Sequence, residues 1–450
     1  MTMNKQLSVR DVAVEILLQV EKNQAYSNLL INSMITKFKV KEKDIPLLTE
    51  IVYGTLQRRD TLDYFLSPFI KKAKKIEPWV RILLRMSIYQ MYYLDRIPER
   101  AIFFEAVEIA KRRGHKGISS FVNGVLRSTQ REGIQNLEEI KDPIERLSIK
   151  TSHPKWLVEK WVSQYGYEET EKMCEENLTS PSQTARVNRT KGTVEHLIES
   201  YAQKEITVEK GNLSEDSIKG VKGNLALTEE FRQGFLTIQD ESSMLVARVL
   251  DPKENEIILD ACAAPGGKST HIAERMHGTG KVHSLDLHEH KVNLIKQSAE
   301  RLHLSNIVPQ TLDSRLAGEV FAKESFDRIL VDAPCTGFGV IKRKPDIKYT
   351  KTEQDVLKLA ELQKKILQAV APLLKPNGVL VYSTCTIDQE ENQDVIKEFL
   401  NHHPEFERNL SMSEILPEKV KPYVKDGELQ LLPHYFGTDG FYIVSLRKKG

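Results

Sequence analysis

The chain has 450 residues, 40% hydrophobic and 28% charged, with 65 Lys and Arg against 63 Asp and Glu for a formal net charge of +2. This composition excludes a disordered or fibrous protein, and no apolar run approaches the roughly 20 residues that span a bilayer. Four cysteines without a C-x-x-C pair speak against a disulfide framework or a structural zinc site, so free thiols and no metal are expected.

The start, "MTMNKQLSVRDVAVEILLQV", carries no signal-peptide pattern, and a reducing cytoplasm is the expected setting. The length suits two or three domains. Residues 8–130 read as helix after helix. "RDVAVEILLQVEK" puts Val12, Ile16, Leu17 and Val20 on one face. "ERAIFFEAVEIAKRRG" ends on Gly114 at a C-cap position, and "ISSFVNGVLRSTQRE" follows with Ser119 as its expected N-cap. An all-α domain over 1–140 is predicted. It is also basic, with 23 Lys and Arg against 16 Asp and Glu, a net +7 that leaves −5 for the rest of the chain. The clusters "IKKAKK" (70–75) and "AKRRGHKG" (110–117) suit a nucleic-acid-binding region and equally a solvated helix face.

Residues 141–235 change texture. "SHPKWLVEKWVSQYG" reads as a short amphipathic helix, and "TARVNRTKG" and "EITVEKGNLS" as strands between polar turns, which makes a small α+β linker module. From 236 to 450 strands alternate with helices. Strands are predicted at 256–262, 281–287, 307–312, 326–333, 378–384 and 441–447, and helices at 267–277, 288–303 and 353–374. This alternation implies an α/β, doubly wound, Rossmann-like parallel sheet with its ligands at the carboxyl ends of the strands.

"IILDACAAPGGKSTHIAERM" (257–276) is a strand, a glycine turn and a helix, and a helix N-terminus offers free N–H groups to an anion. A P-loop would need Gly where Cys262 stands, and G-x-G-x-x-G is not present there. S-adenosylmethionine fits the turn better, its methionyl carboxylate at the N–H groups around Gly266 and Gly267 with Lys268 near it. Asp286, nineteen positions after Gly267, ends the next strand and can accept ribose hydroxyls. Asp313, at the end of the third, can meet the adenine amino group. Each aspartate alone reads equally as a helix cap.

"ILVDAPCTGFG" (329–339) and "VLVYSTCTIDQEEN" (379–392) each place a cysteine just past an apolar strand. Methylating carbon 5 of a cytosine calls for a thiolate to add to carbon 6, an acid at ring nitrogen 3, and a group that helps remove the carbon 5 proton. Cys335, Cys385 and Asp332 supply those parts, with thiol pKa values expected to be lowered by helix termini and cations such as Lys268. Cys174 reads as a small buried hydrophobe.

"DACAAPGGK", "DAPCTGFG" and "YSTCT" resemble the signature blocks of the RNA 5-methylcytosine methyltransferases of the RsmB, NOP and Sun type. The resemblance implies Cys385 as nucleophile, Cys335 as the thiol assisting product release, Asp332 at ring nitrogen 3, and S-adenosylmethionine held by Cys262, Ala263, Ala264, Pro265, Gly266, Gly267, Lys268, Asp286, Asp313 and Asp332. "LTEIVYGTLQRRDTLDYFL" and "AVEIAKRRGHKGISSFVNGVLR" resemble the NusB-type RNA-binding fold joined to the family's bacterial 16S ribosomal RNA member. That likeness implies a monomer acting on free 16S rRNA or an early small-subunit intermediate, at cytosine 967 in the usual rRNA numbering. "STCT" departs slightly from the family, many members having Ser where Thr386 stands. Competing readings are methylation of another RNA such as tRNA, a P-loop-like NTPase suggested by "GGKST", and a binding protein whose α/β region is a relic.

Overall fold

The computed structural model describes residues 7–23, 27–71, 73 and 75–450; Lys72 and Lys74 of the "IKKAKK" cluster lie outside them. It divides into two compact units, Met1–Thr179 with Arg343–Thr350, and Ser180–Lys342 with Lys351–Gly450.

The first unit is helical: α1 (Val9–Asn23), α2 (Ser27–Phe38), α3 (Ile45–Gln57), α4 (Arg59–Ile70), α5 (Pro78–Tyr93), α6 (Glu99–Arg113), α7 (Lys116–Glu132), α8 (Pro143–Thr151), α9 (Lys155–Tyr165) and α10 (Tyr167–Glu176). The 3.6-residue spacing of apolar side chains puts Val12, Ile16, Leu17 and Val20 into one core with Leu48, Leu83 and Leu126. The N-cap of α7 is His115, whose side chain accepts from Gly117 N–H. Ser119 instead lies inside the helix and hydrogen-bonds the Lys116 carbonyl. Two members of the 110–117 cluster do not face solvent freely. Arg113 Nε donates to the buried Asp11 at 2.7 Å, and Arg112 pairs with the same carboxylate, so these cations fasten α6 to α1.

Residues 343–350 belong to this unit although they follow the Cys335 block in sequence. Lys348 is fully buried and donates to the Gln57 carbonyl at 2.8 Å, burial drawing its pKa down to about 7. The Arg59 guanidinium lies 3.4 Å from the centre of the Tyr349 ring.

In the second unit, β1 (Gln183–Val187), α11 (Val194–Ala202), β2 (Thr207–Lys210), β3 (Ser217–Lys222), α12 (Glu229–Arg232) and β4 (Leu236–Ile238) form a β-α-β-β-α-β module. Its antiparallel sheet has the order β2-β3-β1-β4, a ferredoxin-like arrangement. After α13 (Glu241–Leu250) the large sheet begins with β5 (Ile257–Asp260), α14 (Gly267–Arg275), β6 (Lys281–Asp286), α15 (Glu289–Leu302), β7 (Ile307–Thr311) and β8 (Phe326–Asp332). It continues with α16 (Glu353–Val370), β9 (Leu374–Thr384), α17 (Gln393–His402), β10 (Phe406–Arg408), β11 (Val424–Lys425), β12 (Glu428–Leu431) and β13 (Phe441–Lys448). The order is β11-β12-β13-β9-β8-β5-β6-β7, with β10 beside β13.

Strands β5 to β9 pair in parallel, and their buried runs, such as Ile329-Leu330-Val331, are apolar on both faces. The expected all-parallel sheet holds only there. The last strand, β13, runs antiparallel to β9, because β11 and β12 return the chain from the opposite side. The chain order reverses at β5, which lies between β6 and β8, and a crevice at the carboxyl ends of the strands belongs at that point.

Candidate active site

Strand β5 delivers the glycine turn to that crevice. Ala263 N–H donates to the Leu285 carbonyl at 2.8 Å and Gly266 N–H to the Ala263 carbonyl at 2.7 Å, which folds the turn back on itself. Gly266 has φ +102°, and a Cβ there would lie 3.2 Å from Ile295 Cα, so glycine is required on both counts. Above Gly267 the space is open, with no atom within 4 Å of where a Cβ would stand. Helix α14 starts at that residue and turns its first N–H groups toward the opening.

The strand ends form an acidic rim. Asp260 is fully buried and accepts from Ser269 Oγ at 2.6 Å; burial raises its carboxyl pKa to about 7. Asp286 accepts from the His288 N–H at 3.0 Å. Asp313 accepts from the Arg315 N–H at 3.0 Å and from its guanidinium Nε at 2.9 Å, so each also does the capping work that its position allows. Burial, and then the charges of Asp260, Asp332, Asp286 and Asp313, push the Cys262 thiol well above its usual range. Such a rim, with Lys268 and Arg315 paired into it, suits a ligand that carries a sulfonium, an ammonium group and ribose hydroxyls.

Across the crevice Asp332 accepts from Lys268 Nζ at 2.7 Å and from Ser383 Oγ at 2.9 Å. Burial would lower the Lys268 pKa, but Asp332, followed by Cys385 and Asp260, outweighs it and keeps the ammonium charged. The Sγ atoms of Cys335 and Cys385 are 3.5 Å apart, although the residues are 50 positions apart in sequence. Their loops meet through backbone. Gly339 N–H donates to the Cys385 carbonyl at 2.9 Å, and Gly440 N–H to the Gly339 carbonyl at 2.8 Å. A Cβ on Gly339 would fall 2.0 Å from the Gly440 oxygen and 2.7 Å from the Cys385 oxygen. This crossing is why "TGFG" and "TDGF" carry glycine at those two positions.

The structure thus gathers Lys268, Asp332, Cys335 and Cys385 and lines Asp286 and Asp313 along neighbouring strand ends. It corrects one expectation. The Cys335 thiol is not lowered: the hydrogen bond to Cys385 and burial push it well above its usual range, with Glu391 and Asp332 adding to the effect. The lysine expected to lower it is bound to Asp332. Cys174 is a buried packing thiol, raised to about 12 by burial. Sequence reasoning missed Glu391 and Asn392, which lie behind both cysteine loops, and Arg186, which supports the glycine turn. Their only signal was polar character within or beside blocks already singled out.

A Rossmann-like sheet with a glycine turn, an acidic rim and two adjacent thiols at its strand ends defines an S-adenosylmethionine-dependent methyltransferase, and S-adenosylmethionine is its cofactor. Comparison with known proteins gives the lineage. Residues 247–447 match the 16S rRNA methyltransferase RsmB/F family, residues 7–131 the NusB family, and residues 153–223 the ferredoxin-like domain of RsmF/B-like methyltransferases. The chain is 59% identical over 446 residues to the Probable ribosomal RNA small subunit methyltransferase B of Bacillus subtilis (strain 168), covering 99% of this chain and 100% of the relative. It is 34% identical over 445 residues to the like-named protein of Synechocystis sp., covering 98% and 100%. The crystal structure of PH0851 superimposes with a TM-score of 0.82 at 27% identity, over 99% of this chain and 100% of that one. A methyltransferase homologue from Pyrococcus horikoshii gives 0.58 at 28% identity, over 69% and 100%. The chain belongs to the RsmB/F family of 16S rRNA methyltransferases.

Proposed function

We propose that the protein methylates carbon 5 of a cytosine in 16S ribosomal RNA through a covalent adduct between Cys385 and carbon 6. The observation that carries this reading is the pair of thiols 3.5 Å apart beside a carboxylate held between Lys268 and Ser383. When bound, S-adenosylmethionine supplies an electrophilic methyl group; residues 262–268, Asp286, Asp313 and Asp332 hold it. Meeting the adenine with Asp313 requires Arg315 to turn away from it.

A base must leave its stack to reach such a crevice. The Cys385 thiolate then adds to carbon 6, favoured by the nearby Lys268 ammonium. Ring nitrogen 3 takes up a proton as the ring becomes an enamine, passed through Asp332 from the Lys268 ammonium it pairs with, so that carbon 5 can attack the methyl group. Cys335, once its own proton has passed to water, assists removal of the carbon 5 proton. The electrons of that bond restore the ring double bond, and the bond to carbon 6 breaks so that Cys385 leaves as a thiolate. That the Lys268 ammonium interacts with Cys385 supports placing the nucleophile there.

Residues 1–140 bind RNA in this reading, 141–235 link, and 236–450 catalyse. The relatives' names, ribosomal RNA small subunit methyltransferase B, favour small-subunit rRNA over tRNA. The target we propose on the family resemblance is cytosine 967, in free rRNA or an early small-subunit intermediate. The protein works as a cytoplasmic monomer; among the described residues no helix is long and apolar enough to cross a membrane.

The two cysteines separate cleanly by mutation. Cys335→Ala should add to the base and transfer methyl but stall, leaving a protein–RNA species that survives denaturing electrophoresis and vanishes with RNase. Cys385→Ala should give none, and the double variant should behave like Cys385→Ala. An adduct in Cys385→Ala alone would assign the nucleophile to Cys335.

A further inference from the structure

Both cysteine loops rest on one dipeptide. Directly after "STCTIDQ" the chain makes a short turn, Gln389–Glu391, and the next residue is Asn392. Glu391 is fully buried. Its carboxylate accepts from the Thr336 N–H at 2.9 Å, from the Thr336 hydroxyl, and from Gln363 Nε2 at 3.1 Å. Thr336 is the residue after Cys335. Asn392 serves the other loop: its Oδ1 accepts from Thr384 Oγ1 at 2.6 Å and its Nδ2 donates to the Thr386 carbonyl at 3.1 Å. Those two residues flank Cys385. A hydrogen bond of 2.9 Å between the Thr336 and Thr386 hydroxyls closes the circuit.

A buried carboxylate is costly to retain for packing alone, and here each oxygen is spent on a loop that bears a thiol. We infer that Glu391 and Asn392 are positioning residues that fix the separation of the two reactive thiols, Glu391 through the loop of Cys335 and Asn392 through the loop of Cys385. Both side chains are fully buried, so each acts through the loop it holds. The burial that raises the Glu391 carboxyl to about 7 is consistent with a group kept for its geometry. The role rests on the reading above that both thiols act.

The test uses the full-length protein and two readouts. Diamide takes up the two thiol hydrogens as the Cys335–Cys385 disulfide forms, so its rate reports thiol separation without any RNA. Methylation of 16S rRNA transcript gives kcat and KM. In Glu391→Gln, and more so in Glu391→Ala, diamide closure should slow about tenfold and kcat should fall roughly 10- to 100-fold, because an ångström of misplacement has effects of that size. S-adenosylmethionine affinity by calorimetry and KM for RNA should stay near those of the parent. Thr336→Val removes one hydroxyl at nearly constant volume and should give the same pattern, more weakly, if Glu391→Ala does not fold. Unchanged diamide closure in folded Glu391→Gln and Thr336→Val overturns the inference, as does a loss of cofactor affinity parallel to the loss of kcat. Slowed closure, if the parent protein leaves rRNA unmethylated, would uphold the positioning role and overturn only the proposed substrate.

Discussion

Asp260 ends β5 just before the glycine turn, with one oxygen on Ser269 and its carboxyl raised to about 7 by burial. The unfolded chain titrates such a group near 4. Between those values the folded state binds the proton more tightly, so this residue's contribution is fully present below about pH 4 and is lost as pH rises through about 7. Asp260→Asn keeps an acceptor for Ser269 and removes the ionisation. Chemical-denaturant titrations should show the variant gaining on the parent as pH rises from about 4 to 7, by up to about 1.4 kcal/mol per pH unit. A constant difference across that window would place the titration elsewhere. At this scale the sequence disclosed which residues stand at strand ends, because apolar β-branched runs stop at Asp260, Asp332 and Thr384. It did not disclose the direction of the Cys335 shift. That depends on a second thiol and on Glu391, both brought up by loops distant in sequence.

The glycine turn is held as an element, through the helix that follows it. From β1, the fully buried Arg186 donates to both oxygens of Glu274 at 2.9 Å, to Thr270 Oγ1 at 3.0 Å and to the Gly267 carbonyl at 2.8 Å. Thr270 and Glu274 lie on successive turns of α14, so one guanidinium braces the helix that starts at the glycine turn. Arg186→Met should leave Glu274 buried without its cation and cost about 3–5 kcal/mol in urea unfolding. It should also weaken S-adenosylmethionine binding measured by calorimetry. Arg186→Met with Glu274→Leu should recover much of the stability, but not the contact to Gly267, so cofactor affinity should stay low. Recovery of both together would mean that the brace acts on stability alone. The alternation that produced β5 to β9 was legible because β5, β8 and β9 carry buried apolar runs and helical periods separate the strands. The β10 to β12 strands were missed, being two to four residues long and too short for a period to register. The brace was equally silent: an arginine inside "TARVN" looks like any polar strand residue until the fold puts Glu274 opposite.

For the molecule as a whole, the charge asymmetry located the basic region, but the identity of its exposed members came from packing. Arg112 and Arg113 bind Asp11, which is 1% exposed, and their replacement should lower the Tm of the helical unit, through a buried carboxylate left unpaired. A different surface on α6 and α7 is better placed for RNA. Arg100, Phe103, Phe104, Lys111 and Arg127 line a groove of about 580 Å³. Phe104 is 63% exposed, and Arg127 lies 4.8 Å from the centre of the Phe103 ring. An exposed aromatic ring among arginines suits a stacked, unpaired base, while Glu99 and Glu108 in the same groove limit how much phosphate it attracts. Replacing Arg100, Lys111 and Arg127 together with Gln should weaken binding to a 16S rRNA fragment and flatten the plot of log K against log salt by about two units, at roughly 0.7 per phosphate contact on single strands. Phe104→Ala should weaken binding with the slope unchanged, since stacking releases no counterions. If the triple variant keeps the parent slope, the helical unit meets RNA through another face.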